Sequence, residues 1–489
     1  MVINRLLNMI KNNKYFVVIN LTFLIIYSLI CFVNHSNFRT YALDLGVYTR
    51  ALYDYAHFRF NYCEVFESAR ENMLCAHFDL LLILFSPLYW VFGNITLLVV
   101  QLAAIHFGAY GVYKLAQSYS LHKNTSALIS LVFLSSFGIF SAVAYDYHSN
   151  VVAACLVPWF VLLFKQEKHL KSLFVFILIL VAKENMALWM FFICTGLLFI
   201  YKSKNQKNVA LILSALSLCF FMCVIFIIMP LLSLSPSYNH FEFHVLGTGF
   251  KEGLTYIFSH PIKAFTLLFQ NHLPDGALNN IKAETWCFWF ISGGFLFFYR
   301  PIFLWMLIPI MLQKMYHDDP TKWSVAQQYN IEFAPLAVFC LIEVLKTKSR
   351  KNQTWLTMIT LILCVSVTIR LCDNTISFVD KTRIRFYQAD HYESDFNKKD
   401  VYTLFEKIPK DAIVSAESMF VPHLINRKMI YQYPIIKDAQ YVLLSKDIHS
   451  YPLSEKEMLK AIDSLCSSTD WRYTSLSNNL YLFEINEKR

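Results

Sequence analysis

The feature that most constrains this chain is a succession of apolar runs separated by short polar connectors. The longer runs reach the ~20 residues that a helix needs to cross a bilayer, and the shorter ones suit tilted helices. The backbone of a spanning segment must satisfy its hydrogen bonds internally, which favours helices. We therefore predict an all-α polytopic membrane protein with about 11 transmembrane helices. The runs cover residues 15–33, 95–115, 125–144, 150–164, 171–182, 185–201, 209–231, 285–299, 301–312, 331–345 and 354–371.

The composition supports a membrane protein and excludes other classes. Of the 489 residues, 56% are apolar and only 16% are charged, against ~25% charged in soluble domains. These values exclude a soluble enzyme with one core, a disordered regulator and a disulfide scaffold. The excess positive charge lies in the connectors, because residues 372–489 hold 16 Lys and Arg against 17 Asp and Glu. Positive connectors mark the cytoplasmic side rather than a nucleic-acid partner.

The basic clusters predict the orientation of the chain. If the N-terminus is cytoplasmic and every run crosses once, each cluster falls on the cytoplasmic side. This holds only when the further apolar stretch 78–92 does not cross, so we predict a re-entrant or interfacial helix there. Residues 15–33 lack a small-residue cleavage site and are predicted to be a retained first span. The clusters are Arg5/Lys11/Lys14, Lys114/Lys123, Lys165/Lys168/Lys171, Lys202/Lys204/Lys207, Arg300 and Lys346/Lys348/Arg350/Lys351.

Two domains are predicted. Residues 1–371 form a transmembrane domain with extracytoplasmic loops at 34–77 and 235–283, and residues 372–489 form a small extracytoplasmic α/β domain, called the tail below. The second loop contains GFKEGLTYIFSHPIKAFTLLFQNHL, whose periodicity predicts interfacial helices over the mouth of a cavity. They are either a lid or substrate-entry element or a plain surface helix pair. In the tail, AIVSA, AQYVLLS and NNLYLFEIN are typical of strands and VPHLINRKM of a helix. Cys63 and Cys75 share a polar loop, where a disulfide and two free thiols both remain open.

Asp44 lies just after the first apolar run, in the segment YALDLGVYTRALYDYAHFRF. Aromatic, apolar and charged residues recur there at helical spacing, as in an amphipathic helix lying in the membrane interface. A carboxylate near headgroup depth is suited to act as a general base, and an Asp that precedes a helix commonly caps it. The two roles are compatible.

Lys183 and Glu184 interrupt what would otherwise be one continuous apolar helix, FVFILILVAKENMALWMFFICTGLLFI. A charge at the centre of a bilayer costs ~2.5–3.5 kcal/mol on insertion scales, so such residues indicate a functional site. The alternative is a tight turn between two short helices, in which both charges are merely solvated.

Histidine and aspartate recur in the other predicted extracytoplasmic segments. Asp146 and His148 stand two residues apart between two apolar runs, His77 ends the first loop, and His240 and His244 lie in the second. Such groups can bind a divalent ion, orient a phosphate, or act as a base and its orienting partner. A lone interfacial histidine is also commonly an amphipathic anchor.

Five motifs together carry a resemblance to known families. DLGVYTRALYDYAH, DYHSN, VAKEN, SHPIKAF and AESMFVPHL occur in this order along the chain. In this combination the chain resembles an uncharacterised family of predicted polytopic bacterial membrane proteins with a domain of unknown function. The acidic residue of the first loop, the DxH and KE turns and the long amphipathic loop also resemble the GT-C superfamily of membrane glycosyltransferases.

The GT-C resemblance implies transfer of a sugar from a polyprenyl-phosphate donor, on the extracytoplasmic face of the bacterial inner membrane. Asp44 then matches the acidic residue that serves as general base or metal ligand, and Lys183 and Arg50 are candidates for the donor phosphate. Asp44-Leu45 replaces the paired acids of the best-studied branches, which leaves a need for Mg²⁺ or Mn²⁺ open. The acceptor or metal candidates are Asp146, His148, Glu184 and His77, and the lid candidates are His240 and His244.

Two further interpretations come from other functional classes. A transporter or flippase for lipid-linked or anionic solutes would also hold charges inside the membrane, and a scaffold would merely display the tail. A transporter needs polar residues along a path to the cytoplasmic side, whereas here they cluster at one face. This asymmetry favours the enzyme. The sequence has no phosphate-cradling glycine-rich loop, zinc-protease motif or nucleophile elbow.

Overall fold

The computed structural model describes residues 13–63, 65, 71–234, 241–446, 451–477 and 479–486. His240 lies outside the described residues, and so does the side chain of Cys63. The lid role of His240 and the state of the Cys63 and Cys75 thiols therefore stay predictions.

Helices form most of the described chain, and each predicted apolar run coincides with one or two of them. In the first half they are α1 (Lys14–Ser36), α2 (Val47–Ala56), α3 (Met73–Ala76), α4 (Leu81–Phe85), α5 (Tyr89–Phe92), α6 (Thr96–Ser118), α7 (Lys123–Leu134), α8 (Phe137–Val143), α9 (Ser149–Lys165), α10 (His169–Leu180), α11 (Glu184–Ile200), α12 (Lys204–Cys223) and α13 (Met229–Leu232). In the second half they are α14 (Phe250–Ser259), α15 (Pro261–Leu267), α16 (Ile281–Ile291), α17 (Ile302–Met315), α18 (Pro320–Trp323), α19 (Phe333–Leu345), α20 (Arg350–Asp373), α21 (Lys381–Ile384), α22 (Lys398–Lys407) and α23 (Glu455–Ser467).

Within the described residues, four helical segments are long and apolar enough to cross a membrane: Lys14–Ser36, Leu81–Ser118, Lys204–Leu232 and Arg350–Asp373. A fifth forms if α7 and α8, which bend by 52° at a short break, are one span. Shorter apolar helices of 10–17 residues fill the rest of the bundle: α9, α10, α11, α17 and α19. The predicted number of about 11 crossings requires these shorter helices to cross as well.

The connectors between the helices gather at two opposite ends of the bundle. At one end, Tyr119 contacts Tyr201 through a 2.8 Å hydrogen bond between their hydroxyls, Lys165 Nζ donates to the Ser118 carbonyl at 2.7 Å, and Lys346 lies 5.7 Å from the Tyr119 ring. We call this the basic end, because Lys165 and Lys346, which belong to two of the predicted cytoplasmic clusters, lie there. The connectors that contain Asp44, Asp146 and Lys183 lie at the other end, called the site end. The predicted parity of Lys and Arg would put these two ends on opposite sides of the membrane.

The apolar stretch 78–92 starts and finishes at the site end. At its start the Leu80 amide donates to the Val181 carbonyl at 2.9 Å. At its finish Trp90 Nε1 donates to the Ala56 carbonyl at 3.3 Å, and Asn94 Nδ2 donates to the carbonyl of His423 in the tail at 3.0 Å. That this stretch does not cross a membrane stays a prediction, and together with α6 it counts as one candidate span, Leu81–Ser118.

Helices α14 and α15 carry the amphipathic segment of the second loop. Phe258 is 81% exposed and Ile262 is 79% exposed. Tyr316 OH donates to the Ala264 carbonyl at 2.8 Å, and Trp286 Nε1 donates to the Leu268 carbonyl at 3.0 Å. The helix pair is thus fastened beside the connector 316–332 while its apolar face stays exposed. Its lid role stays a prediction.

The tail contains a mixed five-stranded sheet in the order β4-β3-β5-β7-β6. Strand β3 pairs in parallel with β4 and β5, while β7 pairs in antiparallel with β5 and β6. A separate two-stranded ladder joins β1 to β2 in the first loop. The strands are β1 (Tyr62–Cys63), β2 (Glu71–Asn72), β3 (Ile413–Ala416), β4 (Met429–Gln432), β5 (Tyr441–Ser445), β6 (Trp471–Leu476) and β7 (Leu480–Ile485).

One prediction for the tail is wrong. The segment VPHLINRKM is not a helix but a single 3-10 turn, Val421–His423, followed by β4. Short apolar runs do not distinguish a strand from a helix, and Pro422 suits the first position of a turn. The helix that covers the sheet is α23, which begins with a capping box formed by Ser454 and Glu457. That S-x-x-E signature was available in the sequence.

The tail is fastened to the site end by buried polar contacts. Arg39 donates to the carbonyls of His391 at 2.9 Å and Glu393 at 2.6 Å, and the Asn37 amide donates to the same two carbonyls at 3.0 Å. Apolar residues of the tail also share one buried cluster with the helical bundle. The tail therefore frames the region in which the candidate residues meet.

Candidate functional site

Asp44 lies in a π-helical turn, Ala42–Gly46, between α1 and α2. Its Oδ1 lies 3.0 Å from His148 Nε2, and its side chain is 20% exposed whereas that of His148 is 3% exposed. The Asp44 side chain caps neither this turn nor α2, so the capping interpretation is wrong. Asp44 is thus the accessible member of the pair, with His148 buried behind it.

The surroundings of Asp44 favour its ionised form. Burial would raise the pKa of the carboxyl, but the charge of His148 and hydrogen bonds from His148 and Tyr145 outweigh it, with a further contribution from Lys322, and lower the pKa to about 2. Asp44 is therefore a carboxylate at neutral pH and can accept a proton.

Asp146 holds the Asp44 turn in place rather than facing a ligand. Its Oδ2 accepts from the Tyr41 amide at 2.8 Å and the Leu45 amide at 3.4 Å, and its Oδ1 accepts from Arg383 Nη2 at 3.1 Å. The Asp146 side chain is fully buried. Burial raises the pKa of Asp146 to about 6, opposed by the charge of Arg383. With its oxygens occupied in this way, Asp146 positions Asp44, and the structure assigns it no open coordination site.

Glu184 and His77 form a second acid–histidine pair. His77 Nδ1 lies 3.3 Å from Glu184 Oε1, and the Phe78 amide donates to Glu184 Oε2 at 3.1 Å. The ring of Tyr48 lies between the two pairs, 6.2 Å from the His77 ring and 6.3 Å from the His148 ring. The structure thus brings together four of the predicted residues around one tyrosine.

Lys183 occupies the position just before α11, where its backbone is extended with φ −162° and ψ 148°. It is half-buried, and its ammonium makes no hydrogen bond or ion pair with the part of the chain that the structure describes. Burial lowers the pKa of Lys183, while the charges of Glu184 and Asp44 oppose that shift. A cation in such a place attracts an anionic ligand.

A second cation, Lys322, also interacts electrostatically with Asp44. Its ammonium hydrogen-bonds the Tyr329 hydroxyl and lies 4.1 Å from the centre of that ring. Burial lowers the pKa of Lys322, opposed by the charges of Asp319 and Asp44, and Lys322 in turn lowers the pKa of Lys183. The site therefore combines two ammonium groups, those of Lys183 and Lys322, with the carboxylate of Asp44.

Glu332 adds a buried acid at the edge of this site. Asn150 Nδ2 donates to Glu332 Oε1 at 2.8 Å, whereas Glu332 Oε2 is buried and has no hydrogen-bond partner among the described residues. An unpaired buried oxygen is costly, which is consistent with a site that is completed by a ligand.

Sequence reasoning missed several members of the site. Lys322 and Tyr329 lie in the connector 316–332 and Arg383 follows the last apolar run, where polar residues are expected and so give no signal. Tyr48 lies in α2 and Tyr145 directly precedes Asp146. Only Glu332 had a usable signal, because it lies within the predicted apolar run 331–345. The missed residues are Tyr48, Tyr145, Lys322, Tyr329, Glu332 and Arg383.

Two predicted residues lie elsewhere. The Arg50 guanidinium donates to the carbonyls of Ile425, Arg427 and Lys428 at 3.1, 2.9 and 3.0 Å, and its Nε donates to Asp54. Arg50 thus fastens α2 to the tail, and its donors are occupied. His244 is 70% exposed and pairs with Asp318 at 2.7 Å, beside the lid helices.

Among the described residues, no group of three or more His, Cys, Asp or Glu side chains is arranged to hold a metal ion. Asp44 with His148 and Glu184 with His77 are separate pairs, and Asp146 is turned towards Arg383. The need for a divalent cation stays open, and no chemical step below is routed through one.

A family model described as "Predicted membrane protein (DUF2079)" matches residues 34–482. The match begins at the end of α1 and includes every site residue named above together with most of the tail. No curated protein matches the chain.

Proposed function

The chain belongs to the DUF2079 family of predicted multi-pass membrane proteins, and for this member we propose the transfer of a sugar from a polyprenyl-phosphate donor. The proposed enzyme has a GT-C arrangement of about 11 crossings in the bacterial inner membrane. Its site end faces the extracytoplasmic side and its basic end the cytoplasm, in agreement with the distribution of Lys and Arg.

One observation carries this proposal: Asp44, a partly exposed carboxylate, interacts electrostatically with two ammonium groups, Lys183 and Lys322, at one end of an apolar helical bundle. Glycosyl transfer from a lipid phosphate needs a base for the acceptor, cations for the departing phosphate, and a position near headgroup depth. This site combines all three requirements.

In the proposed reaction, the oxygen of an acceptor hydroxyl attacks the anomeric carbon of the donor sugar. Its proton passes to Asp44, a bond forms between that oxygen and the anomeric carbon, and the bond from this carbon to the phosphate oxygen breaks. The electron pair stays on the polyprenyl phosphate, whose added charge is stabilised by Lys183 and Lys322. The stereochemical outcome implied by the GT-C resemblance is inversion.

The neighbouring residues have positioning roles. His148 orients Asp44 from its buried side, and the Asp146–Arg383 ion pair fixes the turn that carries Asp44. Glu184 and His77 hold the start of the stretch 78–92 next to Lys183. The exposed apolar faces of α14, α15 and the stretch 78–92 suit contact with lipid, where the polyprenyl chain would lie.

The test is a transfer assay with the full chain in proteoliposomes that contain a radiolabelled polyprenyl-phosphate sugar. We expect release of polyprenyl phosphate by the wild type and a loss of about 10²–10⁴-fold in Asp44→Asn, the range found for removing a general base. Asp373→Asn is the matched control, because Asp373 is an exposed acid at the same end of the bundle. Wild-type rates in a folded Asp44→Asn variant would refute the proposed base.

A further inference from the structure

A second site candidate lies at the basic end, opposite the proposed active site. A cavity of about 200 Å³ opens where the starts of α1 and α7 meet the last turns of α6. Its polar lining consists of Asn13, Lys14, Tyr113, His122, Lys123 and Asn124. Nothing in the proposed transfer reaction uses this cavity.

The charge of the cavity is positive. Lys14 and Lys123 line it, and none of its described lining residues is acidic. An anionic group would therefore be attracted here without an opposing carboxylate.

Two helix starts strengthen this attraction. Helix α1 has 23 residues and begins at Lys14, and α7 has 12 residues and begins at Lys123. Asn13 makes no side-chain cap to α1, while His122 caps α7 by accepting from the Asn124 amide. The positive ends of two helix dipoles thus meet at one cavity that already holds two lysines.

The surface beside the cavity is suited to an acyl chain. Tyr15, Val18, Leu21 and Ile25 form an exposed stripe on α1 that leads away from the cavity along the bundle. The Phe16 and Tyr113 rings stack at 4.5 Å and form an aromatic wall at the cavity. Basic pockets of this kind between helices accommodate lipid headgroups.

We propose that this cavity binds the phosphate of an anionic membrane lipid, with the acyl chains lying along the exposed stripe of α1. Lys14 and Lys123 contact the phosphate oxygens, and Asn124 lies at the rim of the headgroup site. The bound lipid holds the start of α1 against α7. This site is independent of the sugar transfer proposed above and stands or falls separately.

The experiment is native mass spectrometry of the full chain released from nanodiscs that contain phosphatidylglycerol. Each lysine near an anionic headgroup contributes roughly fivefold to affinity, so Lys14→Gln/Lys123→Gln should weaken retention of phosphatidylglycerol by about 30-fold. Lys168→Gln/Lys171→Gln is the matched control, because both lysines are exposed at the same end but do not line the cavity. We expect this control to retain lipid like the wild type.

Three further arms keep the proposal falsifiable. Nanodiscs of phosphatidylcholine should give little retention, and inorganic phosphate alone at millimolar concentration should not displace the lipid. Asn124→Asp, which places a negative charge at the cavity without removing a lysine, should weaken retention as well. Equal retention by the lysine pair variant, equal retention of phosphatidylcholine, or full displacement by inorganic phosphate would overturn the lipid site.

Discussion

The Asp146–Arg383 ion pair gives the sharpest test of the architecture, because it joins the bundle to the tail. The two side chains are 0% and 7% exposed and 3.1 Å apart. Removing one partner of a buried ion pair leaves the other charge uncompensated, at a cost of about 3–5 kcal/mol. We expect Asp146→Asn and Arg383→Met each to lower the free energy of unfolding by about this amount.

The geometry predicts that the losses of unfolding free energy in the two single variants do not add in the double variant. In Asp146→Asn, the donors from Arg383, Tyr41 and Leu45 face a side chain with only one acceptor oxygen. In the double variant the guanidinium is gone, so that single oxygen can serve the two backbone amides. Arg383 also donates to the Ala144 carbonyl at 2.9 Å. Arg383→Met should therefore lower the free energy of unfolding more than Asp146→Asn does.

The assay is SDS-induced unfolding in mixed micelles, followed by the fluorescence of the 9 tryptophans. The double variant should lose roughly 1–3 kcal/mol less free energy of unfolding than the sum of the two single losses, which is the coupling typical of residues in direct contact. Arg370→Gln, at an exposed arginine near the end of α20, should leave stability unchanged. Additive losses in the double variant would mean that the pair does not form.

The remaining predictions concern the site itself. Lys183→Met should weaken binding of undecaprenyl phosphate by about 10–100-fold, as expected for losing a charge-assisted hydrogen bond, when binding is measured by titration calorimetry in nanodiscs. Lys183→Arg should retain part of the wild-type affinity. Unchanged binding in both variants would exclude Lys183 from the phosphate site. Lys322→Met should act in the same direction, and a variant with both substitutions should bind no better than the weaker single one. Because the folded pKa of Asp44 is about 2, below the ordinary value of 3.8, its stabilising effect is complete above about pH 4 and fades as the pH falls towards 2. Thermal unfolding should therefore separate wild type from Asp44→Asn more at pH 5 than at pH 2.5, and an equal separation at both values would contradict the depressed pKa.

The positions of the helices could be predicted from the sequence. An apolar run in a bilayer must satisfy its backbone hydrogen bonds internally, and a helix does so. The distribution of Lys and Arg along the connectors also predicted that four residues lie at the same end of the bundle: Asp44, His148, Glu184 and Lys183. The sequence did not reveal that Asp146 pairs with Arg383, which lies 237 residues away. Contacts over such separations depend on how helices pack, which periodicity within one segment does not report.

The error in the tail has a different cause. The segment VPHLINRKM was assigned to a helix on its apolar content, whereas its last residues enter β4, whose Met429 to Gln432 pair with Ile413 to Ala416. Parallel pairing is decided by the neighbouring strand and not by the segment alone. The placement of Arg50 failed similarly, since its partners are carbonyls of the tail.

The central claim is that Asp44 and the pair Lys183 and Lys322 face the phosphate of one lipid-linked donor. The most direct measurement is a cryo-EM structure of the full chain in nanodiscs with undecaprenyl phosphate. The account predicts phosphate density within hydrogen-bonding distance of Lys183 Nζ, beside Lys322 and open to the lipid. Headgroup density elsewhere, with a solvated path running from Asp44 to the basic end, would contradict it and favour a transporter.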